Sequence, residues 1–197
     1  MGAAMAKGLL LVTMEPPAAL EEEFNDWYDS EHLPQRRSLP GFESASRWTC
    51  VHGWPRWLAI YDLNSTAALD TPAYAAVSGE NSTPWSKRVL PRTIGRRRIV
   101  AEQIHPGDDL ARPHDQIARL CVAHYPGAHE SAIGDLLRAV ATLDGLLQFR
   151  LFRDMAGGLW ALASFARPVS PALLEEVLGG TAGGARLLNL YAAYWRT

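Results

Sequence analysis

Residues 25–34 read NDWYDSEHLP and set Asn25, Asp29 and His32 four and three residues apart. On a helix that spacing puts an amide, a carboxylate and an imidazole along one face, with Tyr28 and Arg36 near its edges. Asp29 is placed to hold one imidazole nitrogen, which fixes the tautomer and favours the protonated ring, and a nearby helix C-terminus acts in the same direction. A histidine held in this way can move a proton on an enolisable substrate near neutral pH. In this scheme His32 is the general acid or base and Asp29 orients it. Tyr28 and Asn25 donate to a developing oxyanion, and Arg47, on the following strand, contacts a carboxylate or phenolate. The same residues also have a structural reading, in which His32 and Asp29 cap the helix end and brace the LPGF turn at 39–42.

Aromatic residues and a second polar stretch frame this group. Trp27 either packs in the core or lines a ligand, and Glu31 lies at the border of the apolar stripe. STPWSKR at 82–88 follows a short helix, and its Ser82, Trp85 and Arg88 are placed to close one end of a cavity. Tryptophans 48, 54, 57 and 85 crowd the first half of the chain, against Trp160 and Trp195 in the second. That bias fits a ligand pocket in the first half, with Trp27, Arg47, Trp85 and Arg88 as substrate contacts, and equally a thick core.

These residues need elements to position them. Gly8–Met14 is an apolar, partly β-branched run stopped by Pro16 and Pro17, and reads as a buried strand. A helix follows, with Glu21, Glu22 and Glu23 in its first turns, and Pro34 should end or kink it near His32. Two strands, FESASRWTCV and RWLAIYDL, are joined at Gly53-Trp54-Pro55; a short helix around TPAYAAVSGE and a strand IGRRRIVAEQI complete the half. After HPGDDLARPHDQ the order recurs as IARLCVAHYP, ESAIGDLLRAVATL, DGLLQFRLFRD, GLWALASFARP, SPALLEEVLG and ARLLNLYAAYWRT. The fold class is therefore α+β, with two tandem ferredoxin-like βαββαβ repeats at 1–105 and 117–197 and a linker at 106–116. Packing sheet to sheet into an intrachain α/β barrel would cover the bare face of each.

Composition narrows the partners. Of the 197 residues, 48% are hydrophobic and 20% charged, with a net charge of -2, so nothing draws the whole chain to nucleic acid or to an anionic membrane. In RTIGRRRIV at 92–100, Arg96 and Arg98 share one face of a strand, which suits a solvated edge or a site for one small anion. Cys50 and Cys121 read as buried thiols of a reducing compartment, and the apolar run after Lys7 is too short for a signal or a membrane span; a cytoplasmic location is expected. His52, His105, His114, His124 and His129 lack zinc-site pairing, no metal or other cofactor is expected, and only His124, on a strand, would suit a haem iron. No phosphate-binding glycine loop or nucleophile elbow occurs, and GGTAGGA at 179–185 follows no strand.

The stretch FNDWYDSEHLPQRRSLPGFESASRW resembles the first helix and second strand of the dimeric α/β-barrel superfamily, in particular EthD-like and uncharacterised members with a W-Y-x-x-E-H-x-P motif. The resemblance implies a barrel of two ferredoxin-like units, here fused in one chain, with small ligands bound between each sheet and its own helices. The second half has GDLLRAVA where the first has NDWYDSEH, so one site per chain is expected. Superfamily members include cyclases, isomerases, quinol-forming monooxygenases and haem-degrading enzymes, so fold does not choose the reaction.

Taken together, these residues describe a cofactor-free acid-base enzyme of cyclase, dehydratase, decarboxylase or isomerase type, a lyase or isomerase acting on a small aromatic or polyketide-like, enolisable compound. The alternatives are a non-catalytic ligand-binding or assembly module and a quinol-type monooxygenase. A small-molecule substrate and a homodimer are the expected partners.

Overall fold

In the structure, a computed structural model, residues 6–127 and 130–195 are described; His129 lies outside them. The strands are β1 (Gly8–Glu15), β2 (Phe42–His52), β3 (Trp57–Leu63), β4 (Ile94–His105), β5 (Arg119–Tyr125), β6 (Leu146–Asp154), β7 (Leu159–Phe165) and β8 (Leu187–Ala193). They form one closed antiparallel barrel in the order β1-β3-β2-β8-β5-β7-β6-β4. The expected barrel is present, but its two sheets meet edge to edge instead of lying face to face: β2 pairs with β8 and β4 with β6. Closure of this kind gives every strand a neighbour on both sides, over short seams in which β2 meets β8 at Trp48–His52 and β4 meets β6 at Ala101–His105.

Period-two alternation then sorts the side chains. Leu9, Leu11, Leu58 and Ile60 point into the barrel with Trp48, Phe152, Trp160 and Leu162. Leu10, Met14, Trp57, Ala59, Tyr61 and Leu63 face outward, where α1 (Glu21–Trp27) covers them with Phe24 and Trp27. On the other side α5 (Ser131–Val140) and α6 (Pro171–Leu174) cover the outer faces of β5, β6 and β7.

The short helix expected around TPAYAAVSGE is only α3 (Pro72–Ala75), started by Thr71 accepting the Tyr74 N–H. Gly79, at φ 58, follows as a break, and a further helix, α4 (Pro84–Val89), forms within STPWSKR and Val89, with Thr83 accepting the Ser86 N–H. The stretch after β4 is a strap over one end of the barrel. Inside that end, Asp62 accepts from Arg150 Nη1 at 2.7 Å, from Ser44 Oγ at 2.7 Å and from the Ala111 N–H at 2.8 Å. Cys50 is half-buried and Cys121 buried, both free, and burial pushes the two thiols up to about 11 and about 12. No helix among the described residues is long and apolar enough to cross a membrane.

Candidate functional site

Pro34 does not end the helix as its sequence position suggested. Trp27 leads into a π turn, Tyr28–His32, and then into α2 (Leu33–Arg37) with Pro34 in its first turn. The Leu33 N–H bonds to Tyr28 O, five residues back, so the wider turn shifts the ladder just before the residue that has no N–H to give. The helical path therefore continues, and His32 and Arg36, four residues apart, face one cleft.

Asn25, Asp29 and Arg47 assemble elsewhere. Arg47, 3% exposed, projects from the outer face of β2 under α1; it donates to Asp29 Oδ1 at 2.6 Å and to Asn25 Oδ1 at 2.7 Å. Rings of Phe24, Tyr28, Trp57 and Tyr194 surround its guanidinium at 4.4–5.6 Å, and Tyr194 Oη reaches Asp29 Oδ2 at 3.4 Å. Asp29 thus serves Arg47, while His32 Nδ1 is buried with no hydrogen-bond partner. The expected protonated ring is also overturned. Burial, then Arg36 and Arg47, lower His32 to about 3, so the imidazole is neutral at pH 7. It sits between Trp27, 4.4 Å away, and Tyr28, 5.1 Å away.

The cleft lies on the outer face of the first sheet, between β1, β4 and the Tyr28–Arg37 segment, and measures about 450 Å³. Leu10, Val12, Met14 and Leu90 provide apolar lining; His32, Arg36, Tyr61, Tyr74, Arg96 and Arg98 provide polar groups. Among the described residues four buried side-chain nitrogen or oxygen atoms lack a partner, and three of them, His32 Nδ1, Arg36 Nη1 and Tyr61 Oη, belong to residues of this one lining. Each unmet buried polar group costs on the order of 1–3 kcal/mol, so their gathering in one place calls for a reason. Arg36 Nη2 is held by Val77 O at 2.9 Å, which leaves the other nitrogen unused. Burial raises the neighbouring Tyr28 and Tyr61 phenols, so both stay protonated.

The remaining candidates are braces. Trp27 is fully buried and donates to Ser86 Oγ at 3.1 Å. Trp85 Nε1 and Arg88 Nε both bond Glu23 Oε1, at 3.3 and 2.8 Å, tying α4 to α1 and away from the cleft. Glu31 accepts from Thr83. Of the 82–88 group only Ser82 lines the cleft. Sequence reasoning missed Tyr61 and Tyr74. Tyr61 was hidden in a strand with no motif, whereas Arg96 and Arg98 were visible as a same-face pair.

Among the described residues no group of three histidine, cysteine or acidic side chains could hold a metal ion. His124 does not fit a haem iron. Its ring stacks on Trp160 at 4.2 Å, and a Cβ built at Gly158 would stand 2.8 Å from its Nε2, so backbone and the Asp154 carboxylate fill the approach.

No protein-family model matches the chain, and no curated protein matches it by sequence. Solved structures share its fold. An anthrone oxidase-like protein aligns at TM-score 0.58 with 11% identity over 96% of this chain and 92% of that one. A candidate monooxygenase from Fusobacterium nucleatum subsp. nucleatum aligns at 0.58 with 9% identity over 97% and 93%. A haem-binding protein from Thermus thermophilus aligns at 0.58 with 12% identity over 96% and 92%. The chain is similar to these proteins in fold, here a closed eight-stranded antiparallel barrel with helices packed outside it, and at such identities the likeness is one of fold alone.

Proposed function

We propose that the His32 cleft binds a small enolisable aromatic compound as its phenolate or enolate, and that the protein is an enzyme acting on that anion. The observation that carries this reading is that His32, Arg36 and Tyr61 all line one half-open cleft with apolar walls, and that each keeps a buried polar atom there, His32 Nδ1, Arg36 Nη1 and Tyr61 Oη, without a full hydrogen bond, Tyr61 Oη having only the Tyr28 hydroxyl beside it. An arginine beside a bound hydroxyl lowers that hydroxyl's pKa and holds the anion; Tyr61, a neutral phenol, can only help as a hydrogen-bond donor to it. Burial first, and then the charges of Arg36 and Arg47, keep His32 unprotonated. A bound anion offsets the arginine charges, so proton transfer to His32 is eased as the anion forms. Asp29, Asn25 and Arg47 act at one remove, by fixing the helix that carries His32.

An enolate held there is electron-rich and can be oxidised by dioxygen. The methylene carbon loses two hydrogens and gains one oxygen atom as a carbonyl, while the second oxygen atom takes up those two hydrogens and leaves as water. One methylene and one dioxygen thus give one ketone and one water, the substrate being oxidised and dioxygen reduced. Likeness of fold to an anthrone oxidase-like protein and to a candidate monooxygenase supports this oxidative reading over the redox-neutral lyase or isomerase. The redox-neutral reading uses the same anion and draws on the pairing of a neutral imidazole with a phenol donor in one lining. The same proposal takes the chain as two repeats, 1–105 and 117–197, of EthD-like affinity on the strength of the W-Y-x-x-E-H-x-P motif, cytoplasmic and capable of forming a homodimer.

Anthrone in air-saturated buffer tests the reaction. Oxygen uptake above the buffer rate, matched mole for mole by anthraquinone and reduced at least about tenfold in His32→Gln, is the expected result. Deuterium exchange at the methylene without oxygen uptake would select the redox-neutral reading, and neither response at saturating protein would leave a binding module.

A further inference from the structure

We infer that the outer part of the cleft is a second anion subsite, formed by Arg96 and Arg98 of β4 with Tyr74 of α3, and that the ligand is a hydroxyaryl carboxylate. This rests on the reading of the cleft as a ligand site given above. In the β1–β4 register Arg98 stands opposite Val12 and Arg97 opposite Thr13. Arg96 and Arg98 therefore lie on the cleft face with Val12 and Met14, about 7 Å apart along the strand, while Arg97 turns to the other face.

Tyr74 links this pair to the His32 end. The guanidinium carbons of Arg36 and Arg98 lie 5.1 and 6.0 Å from its ring centroid, and Arg98 Nη2 donates to its hydroxyl at 3.3 Å. Elsewhere in the first half Arg47 pairs with Asp29, Arg56 with Glu15 and Glu21, and Arg88 with Glu23, whereas Arg37, Arg92 and Arg97 make no ion pair among the described residues. Among the described residues no carboxylate pairs with Arg36, Arg96 or Arg98, and none lines the cleft. Arg36 and Arg98 around one ring, with Arg96 in the same lining, are like charges that repel, and a phenolate at the His32 end answers only one of them. A carboxylate at the outer end answers the rest, matching the planar guanidinium fork with two oxygens. Between the two charged ends Leu10, Val12, Met14 and Leu90 offer the apolar contact an aromatic ring requires.

The test compares three probes by calorimetric titration: 2-naphthol, 6-hydroxy-2-naphthoate and 6-hydroxynaphthalene-2-sulfonate. The wild type should bind the naphthoate at least about tenfold more tightly than 2-naphthol, the range of one charge-assisted contact pair, and more tightly than the tetrahedral sulfonate. The Arg96→Gln/Arg98→Gln variant should lose that margin and keep its 2-naphthol affinity within about twofold. Both side chains are exposed, so the variant is expected to fold, and an unchanged melting temperature checks this. Equal wild-type affinities for naphthol and naphthoate, a margin that survives the double substitution, or preference for the sulfonate would each overturn the carboxylate subsite while 2-naphthol binding left the cleft standing. Failure of both naphthol and naphthoate to bind would overturn the cleft reading together with it.

Discussion

Arg47 Nη1 lies 2.6 Å from Asp29 Oδ1, and aromatic rings surround the guanidinium while the carboxylate stays 24% exposed. Taking the carboxylate away leaves a guanidinium charge that is 3% exposed with Asn25 as its remaining polar side-chain partner. Asp29→Asn should cost about 2–4 kcal/mol in urea unfolding at pH 7. Asp29→Asn/Arg47→Met should recover part of that loss, because removing both charges also removes their desolvation. Strictly additive losses would show that the two residues act independently.

His32 gives a pH signature. Its folded value, about 3, lies below the ordinary 6.5, so between those pH values the unfolded chain holds a proton that the folded chain does not. Stability contributed by neutral His32 is then fully present above about pH 6.5 and falls with acidification, by up to about 1.4 kcal/mol per pH unit. His32→Phe keeps the ring packing against Trp27 and Tyr28 and should flatten that slope, with a change at pH 7 within about 1 kcal/mol. A slope unchanged in His32→Phe would mean that another group carries it.

Much of this was legible in the sequence. Strands followed the apolar runs between turn residues, because β1, β3 and β7 are buried on nearly every residue of both faces. His32 stood out by type and by its place after two aromatics. The expected Asp29–His32 pair does not form, because i,i+3 spacing makes the two neighbours on a helix but cannot report a strand passing beneath. Arg47 arrives on β2 from 18 residues away and takes the carboxylate. Tyr61 and the strap over the barrel end were illegible for the same reason: their partners are set by tertiary contact, and neither carries a local pattern.

Tyr61 should separate function from stability. Tyr61 lines the cleft and its buried hydroxyl, with only the Tyr28 hydroxyl beside it, makes no full hydrogen bond, so Tyr61→Phe removes a poorly met polar group and leaves the ring packed against Phe42 at 5.8 Å. Urea unfolding should show no loss or a gain of about 1 kcal/mol. If the hydroxyl donates to a bound oxyanion, 2-naphthol affinity should fall about fivefold to tenfold at the same time. A loss of stability with unchanged affinity would place the hydroxyl in the core instead.

Asp62, the next residue on β3, points into the barrel and should behave in the opposite way. It is 1% exposed and ends a network that spans both halves of the chain: Ser44 on β2, Arg150 on β6 and the Ala111 N–H of the strap. Asp62→Asn leaves the Arg150 charge, 4% exposed, without its carboxylate and turns an amide toward donors that need an acceptor. About 3–5 kcal/mol of stability should be lost. The strap also carries His114, whose Nε2 bonds the Arg47 carbonyl at 2.9 Å and whose ring contacts Trp48 at 4.5 Å. These contacts lie away from the His32 cleft, so the 2-naphthol affinity of Asp62→Asn, measured where the variant is folded, should stay within about twofold of wild type. A larger drop would show that the interior network sets the position of the cleft residues, and that strand faces one residue apart are coupled through β3 itself.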